Sequence, residues 1–427
     1  MDATSTEREA LALDDADRLR LFRSEFHIPS VAAIRGTGAE TSACVYLAGN
    51  SLGCQPRGAR IAVEQELDDW ARLGVEGHLR GRDPWLPYHE RFRAPLARLV
   101  GGLEHEVVAM NSLTVNLHLL LATFYRPTAK RWKILIEDPV FPSDGYAVAS
   151  HAAWHGREPS RAVVRLRPPG GDRLLRTEDI VSAIEREGDS LALVLLGAVN
   201  YLTGQWLEMG AITAAARRVG AAAGWDLAHA IGNVPLKMHD WDADFAVWCS
   251  YKYLNAGPGA VGGAWVHERH CRNPDLPQLA GWWGNDPATR FAMEAEFVPV
   301  ARADRWAVSN PPILSMAPLK ASLALFDRAT LATLRGKSVR LTGFMERLIR
   351  AWCPGVTVLT PADPERRGCQ LSLHVPGGRR VLEQLAADGI VVDYREPDVI
   401  RAAPTPLYNS FHDAWRFASA LARLTRE

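Results

Sequence analysis

Phe245-Ala246-Val247-Trp248-Cys249-Ser250-Tyr251-Lys252-Tyr253-Leu254-Asn255-Ala256-Gly257 runs from an apolar segment through a lysine into a turn rich in glycine (Gly257, Gly259, Gly262, Gly263). Phe245–Cys249 carries no charged residue, which reads as a strand buried on both faces. A lysine just past such a strand loses solvation unless it is paired or uncharged. Two solutions are open: a side chain that snorkels to the rim of a sheet, or a Schiff base with an aldehyde cofactor.

Upstream, Ala221–Trp225 is a second apolar run, closed by Asp226-Leu227-Ala228-His229-Ala230. Lys133–Glu137, Ala162–Leu166, Leu191–Leu196 and Ala260–Val266 are runs of the same kind. Between them, Thr177–Glu187, with Thr177 as N-cap, and Met209–Val219, ended near Gly220, have helical spacing. Strands alternating with helices predict a mostly parallel sheet covered on both faces. Such sheets bind ligands beyond the carboxyl ends of their strands. Asp226 and Lys252 both fall there, on neighbouring predicted strands. Alone, Asp226 reads as a helix cap. Together with Lys252 it reads as the carboxylate that keeps the ring nitrogen of pyridoxal phosphate (PLP) protonated, so that the ring accepts electrons. His229 either touches that cofactor or is an interior histidine.

Two further segments fit the same chemistry. Met110–Asn116 precedes an apolar helix at Leu117–Phe124 and presents N–H groups and hydroxyls, for a phosphate or for ordinary capping. Phe141-Pro142-Ser143-Asp144 follows the strand Lys133–Glu137 and offers a ring that stacks on a planar cofactor, or simply a β-turn. Each segment is ambiguous alone. Jointly they supply an amine, an anion, a phosphate cradle and a stacking ring.

The remaining sequence sets limits. The chain has 427 residues, enough for two or three domains. The first 40 or so residues read as a polar arm with a short helix near Ala16–Glu25, and Arg60–Leu73 reads as an amphipathic helix. After a break at Pro311-Pro312, a long helical stretch covers Met316–Ala351. Short strands near Cys369–His374 and Ile390–Asp393 and a helix at Phe411–Leu424 predict a smaller α+β domain. Lys+Arg and Asp+Glu are both 49, so no broad footprint for nucleic acid is expected. The apolar runs are too short to span a membrane, and the acidic N-terminus does not read as a secretory signal. The six cysteines lack zinc-type spacing, so no metal is expected and a reducing, cytoplasmic setting is the default.

Longer segments carry a family resemblance: Tyr46–Gly53 (Tyr-Leu-Ala-Gly-Asn-Ser-Leu-Gly), Leu113–His118, Phe141–Asp144, Asp226–Asn233, Trp248–Gly257, Ser309–Leu314 and Pro406–Asp413. From about Tyr46 to about Leu424 the sequence resembles kynureninase, nearer the eukaryotic-type branch. The resemblance implies a fold-type-I PLP-dependent transferase-like α/β fold. A large domain with a mostly parallel seven-stranded sheet (76–310) would join a smaller α+β domain (311–427). Residues 1–75 would form an N-terminal arm and part of the small domain. It implies hydrolytic Cβ–Cγ cleavage of kynurenine or 3-hydroxykynurenine, giving alanine and (3-hydroxy)anthranilate, in a homodimer with shared sites.

Residue by residue, the resemblance implies that Lys252 carries PLP and shuttles protons, and that Asp226 pairs with the ring nitrogen beside His229. Leu113, Thr114 and Tyr251 would serve the phosphate, with Tyr251 also assisting proton transfer. Phe141 would stack on the ring, with Ser143 and Asp144 nearby. Trp282 and Asn310 would complete the site from the partner subunit. Arg401 would clamp the substrate carboxylate, a task that suits its planar fork. His78, Ser309 and Asn310 would face the substrate's aromatic ring. Gly197, Asn200 and Asn285 depart from the family pattern and put the choice among ring-substituted substrates in doubt. The competing readings are an aminotransferase or cysteine desulfurase relative and a non-catalytic paralogue.

Overall fold

The computed structural model describes residues 2–36, 38–39 and 41–426. Helix α1 spans Ala3–Asp15, and the Asp2 carboxylate caps it by accepting the Ser5 N–H at 3.0 Å. The short helix expected at Ala16–Glu25 is therefore corrected. The α-helix lies upstream, and only a tighter 3-10 turn follows at Arg20–Glu25. Asp17 accepts the Leu19 N–H at 2.9 Å, a local bond that competes with continued helix. Helix α2 covers Arg57–Leu73, close to the expected bounds.

The central sheet has seven strands: β1 (Val107–Ala109), β2 (Lys133–Glu137), β3 (Val163–Leu166), β4 (Leu191–Gly197), β5 (Ala222–Asp226), β6 (Phe245–Trp248) and β7 (Gly263–Val266). Their spatial order is β1-β7-β6-β5-β4-β2-β3. All neighbouring pairs from β6 to β3 are parallel, and β7 alone runs against both its neighbours. Alternate residues of β4 enter opposite cores. Leu193 and Leu195 join Ile134, Phe245 and Val247 on one face; Val194 and Leu196 join Leu135, Trp225 and Trp248 on the other. This two-sided burial is why the strands read as continuous apolar runs.

Helices cover both faces. Helix α3 (Leu113–Phe124) and α4 (Pro142–Trp154) pack on the first face through Leu117, Leu120, Leu121 and Val148. Helix α5 (Thr177–Glu187) and α6 (Met209–Arg218) pack on the other through Ile180, Ile184 and Ile212. Thr177 is the first helical residue rather than the cap, which is Arg176. Arg176 instead places its guanidinium on Asp179, at 2.7 and 3.1 Å.

The long helix expected over Met316–Ala351 is two helices, α7 (Ile313–Ala329) and α8 (Leu331–Trp352). Thr330 separates them with φ +59°, and its hydroxyl accepts the Thr333 N–H to start α8. Helix α7 belongs to the central core through Met316, Leu319, Leu323 and Phe326. Strands β8 (Thr357–Val358), β9 (Leu371–His374), β10 (Asp393–Arg395) and β11 (Val399–Ala402) form a second sheet, ordered β8-β9-β11-β10 and antiparallel throughout. Behind it, α8, α9 (Gly378–Ala387) and α10 (Phe411–Leu424) build a second core with Val45, Leu47 and Ala10. Ala10 brings α1 into it, and Asp14 fastens the two ends of the chain by accepting the Phe411 and His412 N–H groups at 2.6 and 3.0 Å. Among the described residues, no helix is long and apolar enough to cross a membrane.

Candidate active site

Parallel pairing brings the carboxyl ends of β2, β4, β5 and β6 to one rim. Gly197 lies opposite Asp226, and Asp226 opposite Val247. The pocket at this rim is lined by Leu113, Thr114, Glu137, Phe141, Ser143, Asp144, Gly197, Tyr201, Asp226, His229, Tyr251 and Lys252, among others. It gathers all nine residues that the sequence reading placed near the body of the cofactor.

Lys252 is buried, and its Nζ stands 3.0 Å from Nε2 of buried His229 and 5.5 Å above the centre of the Phe141 ring. Burial, reinforced by the charge of Lys252, holds His229 well below the usual histidine range, so its ring is neutral. Asp226 accepts the Ala228 N–H at 2.7 Å through Oδ1, which fixes its carboxylate at the end of β5. Thr114 and Ser143 share a hydrogen bond of 2.8 Å between their hydroxyls, joining the start of α3 to that of α4. Burial, then the neighbouring Cys249, raises the Tyr251 phenol, so it is a proton-bearing group at neutral pH.

The loop that carries Lys252 is tied at both ends. Gly53 N–H donates to Tyr251 O at 2.9 Å, and Ala256 N–H to Ser250 O at 3.0 Å. Gly262, at its exit, lies so close to the start of α3 that a Cβ there would stand 3.0 Å from Ser112 C and 3.1 Å from Leu113 N. Only glycine permits this approach.

Arg401, on β11, is buried and already well partnered. Its Nε and Nη2 reach Asp393 Oδ1 and Oδ2 at 3.1 and 2.6 Å, and its Nη1 donates to Tyr201 O at 2.6 Å. Tyr201 itself lines the pocket, so Arg401 stands directly behind the wall.

The remaining expected residues do not reach this pocket within the chain. Ser309 and Asn310 line a separate small cavity with His89, Asn111 and Trp283. Trp282 is 44% exposed, stacked edge-on against Trp283 and Phe291. His78 meets Trp85 edge-on at 5.3 Å. Of the three departures, only Gly197 faces the pocket, where its N–H donates to Glu137 Oε1 at 3.0 Å. Asn200 closes a local turn by accepting from Leu202 and Thr203 N–H, and Asn285 accepts the Val298 N–H.

The sequence reading missed Glu137, Tyr201 and Asp393. Glu137 carried a visible signal, since a carboxylate closing an apolar strand is the pattern that flagged Asp226. Among the described residues, one cluster of two histidines and a carboxylate, Glu106, His239 and His267, lies outside the pocket. Both Glu106 oxygens are taken by Leu103 and Glu268 N–H, Trp265 Nε1 and His239 Nδ1, which makes it a hydrogen-bonded brace.

Three buried side-chain atoms of the pocket have no hydrogen-bond partner: Glu137 Oε2, Asp144 Oδ1 and His229 Nδ1. Buried polar atoms of this kind call for a polar ligand. A PLP molecule suits the set, with an amine for its aldehyde, a carboxylate for its ring nitrogen, and hydroxyls at a helix start for its phosphate. Solved structures agree on the fold. The cystine C-S lyase C-DES in complex with cysteine persulfide superposes with a TM-score of 0.73 at 20% identity, over 89% of this chain and 97% of that one. The Escherichia coli cysteine desulfurase CsdA does so with a TM-score of 0.74 at 18% identity, over 95% and 98%. Fold and pocket together define a PLP-dependent enzyme of fold type I.

The model of the kynureninase C-terminal domain matches residues 334–421. A kynureninase of Salinispora tropica is 54% identical over 97% of this chain and 96% of its own, and one of Myxococcus xanthus is 53% identical over 99% and 98%. The chain belongs to the kynureninase family. Its reaction is the hydrolytic cleavage of kynurenine, with PLP as cofactor.

Proposed function

We propose the following division of labour for kynurenine hydrolysis, carried above all by the buried contact between Lys252 Nζ and His229 Nε2 at 3.0 Å. Lys252 holds PLP covalently, and Asp226 meets the ring nitrogen. Leu113 N–H, Thr114 and Tyr251 take the phosphate, with Ser143 and Asp144 backing that end, while Phe141 covers the ring face. Bound there, PLP supplies a ring that accepts negative charge from the substrate. Arg401 receives the substrate carboxylate, its fork held by Asp393 and Tyr201 O. Lys252 Nζ would also move the substrate's α-proton. Neutral His229 accepts a hydrogen bond from that ammonium and keeps it aimed. The Tyr251 hydroxyl is the proton donor for the carbon left when the Cβ–Cγ bond breaks.

Trp282, Asn310, Ser309 and His78 act in the pocket of a second copy, with His78, Ser309 and Asn310 facing the aromatic ring of kynurenine or 3-hydroxykynurenine. What supports a homodimer is that they do not line their own pocket, together with exposed apolar residues such as Ile61, Trp70, Leu79, Phe291 and Met293. A histidine and an amide suit a ring hydroxyl. The chain is organised as an arm (1–75), a large domain (76–310) and a small domain (311–427), a division supported by the second core; α7, packed on the central core, argues for moving the last boundary to Thr330. A cytoplasmic site fits six buried, unpaired thiols.

A cysteine desulfurase needs a reactive thiolate. All six cysteines are buried, and burial is the first cause raising each thiol: Cys44, Cys54, Cys249, Cys271, Cys353 and Cys369. This favours kynurenine chemistry. The test is complementation. Lys252→Ala and Trp282→Ala are each inactive alone; unfolded together and refolded as mixed dimers, they regain about a quarter of wild-type turnover if each site draws on both chains. Borohydride reduction of the wild type must label the Ser250–Gly257 peptide. No recovery on mixing rejects the shared site, and an unlabelled peptide rejects Lys252.

A further inference from the structure

Glu137 ends β2 inside the pocket and is only 4% exposed. Its Oε1 accepts the Gly197 N–H at 3.0 Å, and its Oε2 is one of the three unpartnered buried atoms. Asp226 and Asp144 line the same pocket. Gly197 makes room for the Glu137 carboxyl, since a Cβ there would stand 2.9 Å from Oε1.

Three carboxyls thus share one water-poor end of the pocket. Lys252 is the cation among the residues lining this pocket, and it faces His229; Tyr201 and Tyr251 are neutral phenols, Arg401 is committed to Asp393 and Tyr201 O, and Asp138 and Arg173 share a second, smaller cavity with Glu137. Burying three anions against so little positive charge is prohibitive, so protons must reside on some of them. Asp226 accepts the Ala228 N–H through Oδ1. Glu137 has one such donor and a bare second oxygen. Burial, then the N–H bonds, then the charge of Asp226 set its balance, and the outcome is a carboxyl raised to about 7. Asp144 is raised as well, by burial and by Asp226.

We infer that Glu137 is a positioning residue that stores a proton beside Asp226 in the cofactor-free protein and releases it when PLP binds. A cationic ring nitrogen docked on Asp226 offsets the crowding of anions, and Glu137 then ionises. The proton leaves to solvent, and no bond to Glu137 forms. The inference rests on the assignment of Asp226 to the ring nitrogen.

The sign follows from linkage. A group that is protonated before binding and ionised after it makes affinity rise with pH until the free group is itself ionised. With Glu137 at about 7, roughly 0.9 proton is released at pH 6 and roughly 0.1 at pH 8. Affinity for PLP therefore gains about tenfold across that interval from this group alone. The experiment is calorimetric titration of PLP into cofactor-free wild type, Glu137→Gln and Asp226→Asn, in buffers of different ionisation enthalpy at pH 6, 7 and 8. The buffer dependence counts protons directly. Expected is a difference of about 0.9 proton between wild type and Glu137→Gln at pH 6 that falls to about 0.1 by pH 8. Equal proton counts for the two proteins at pH 6 overturn the inference. Undiminished affinity in Asp226→Asn also overturns it, and shows that the fault lies in the ring-nitrogen assignment. Should Glu137→Gln fail to fold, Gly197→Ala displaces the same carboxyl and must shift the pH at which proton release is half complete; an unshifted midpoint overturns the inference too.

Discussion

Arg401→Lys tests the substrate clamp. The guanidinium makes three charge-assisted contacts at once, to Asp393 at 3.1 and 2.6 Å and to Tyr201 O at 2.6 Å, from a side chain 1% exposed. These contacts lock the plane of the fork, and on the proposed assignment its remaining N–H bonds are what a substrate carboxylate would meet. A lysine has a single nitrogen. Placed on Asp393, it offers the substrate one hydrogen bond where arginine offers two. A hydrogen bond to a charged group is worth about 1.5–3 kcal/mol, so kcat/KM for kynurenine should fall roughly 10- to 150-fold. Most of that loss should appear in KM, because the carboxylate is bound equally before and during the chemistry. The assay follows anthranilate fluorescence under saturating PLP, with PLP content measured on the same samples. A fall of less than about threefold, or one that tracks lost PLP, refutes the assignment of Arg401 to the carboxylate.

Gly262→Ala forces a methyl against Trp248 O, Ser112 C and Leu113 N, backbone atoms that cannot swing aside. PLP affinity should drop at least about tenfold while turnover at saturating PLP stays near normal, and equilibrium dialysis reads the difference. His151, stacked on His118, is lowered to about 4, mainly by burial. Its unfolded pKa lies near 6.5, so the unfolded chain binds the extra proton first, and stability is lost as pH falls from about 6.5 to about 4. His151→Asn should flatten the fall of the thermal midpoint over that window, and an unchanged slope counts against it.

Residues whose role follows from the end of a strand were legible in the sequence. Lys252, Asp226 and Phe141 each follow an apolar run, and parallel pairing alone brings them to one rim. The partners of Arg401 were not legible, because they depend on how the second sheet presses against the loop after β4. Thr330 was invisible as a break, since it is neither glycine nor proline and its positive φ is imposed by packing. His78, Ser309, Asn310 and Trp282 show another limit. Only the family resemblance marks them as chemistry-bearing, and nothing in their local sequence places them in this pocket. Glu137 is readable by the rule that flags Asp226, since it too is an acid closing an apolar run.

The single reversed strand, β7, has a mechanical consequence. Because it begins beside the end of β6, with Gly263 opposite Trp248, the loop carrying Lys252 departs and returns at one edge of the sheet. Its outgoing limb bears the amine, and its homeward limb at Gly262 butts against the first turn of α3. On the proposed assignment this makes a gauge with two fixed jaws, one that would hold the aldehyde and one that would hold the phosphate. Any change in this short span alters the length it measures, so insertions tolerated elsewhere on the surface should be rejected here.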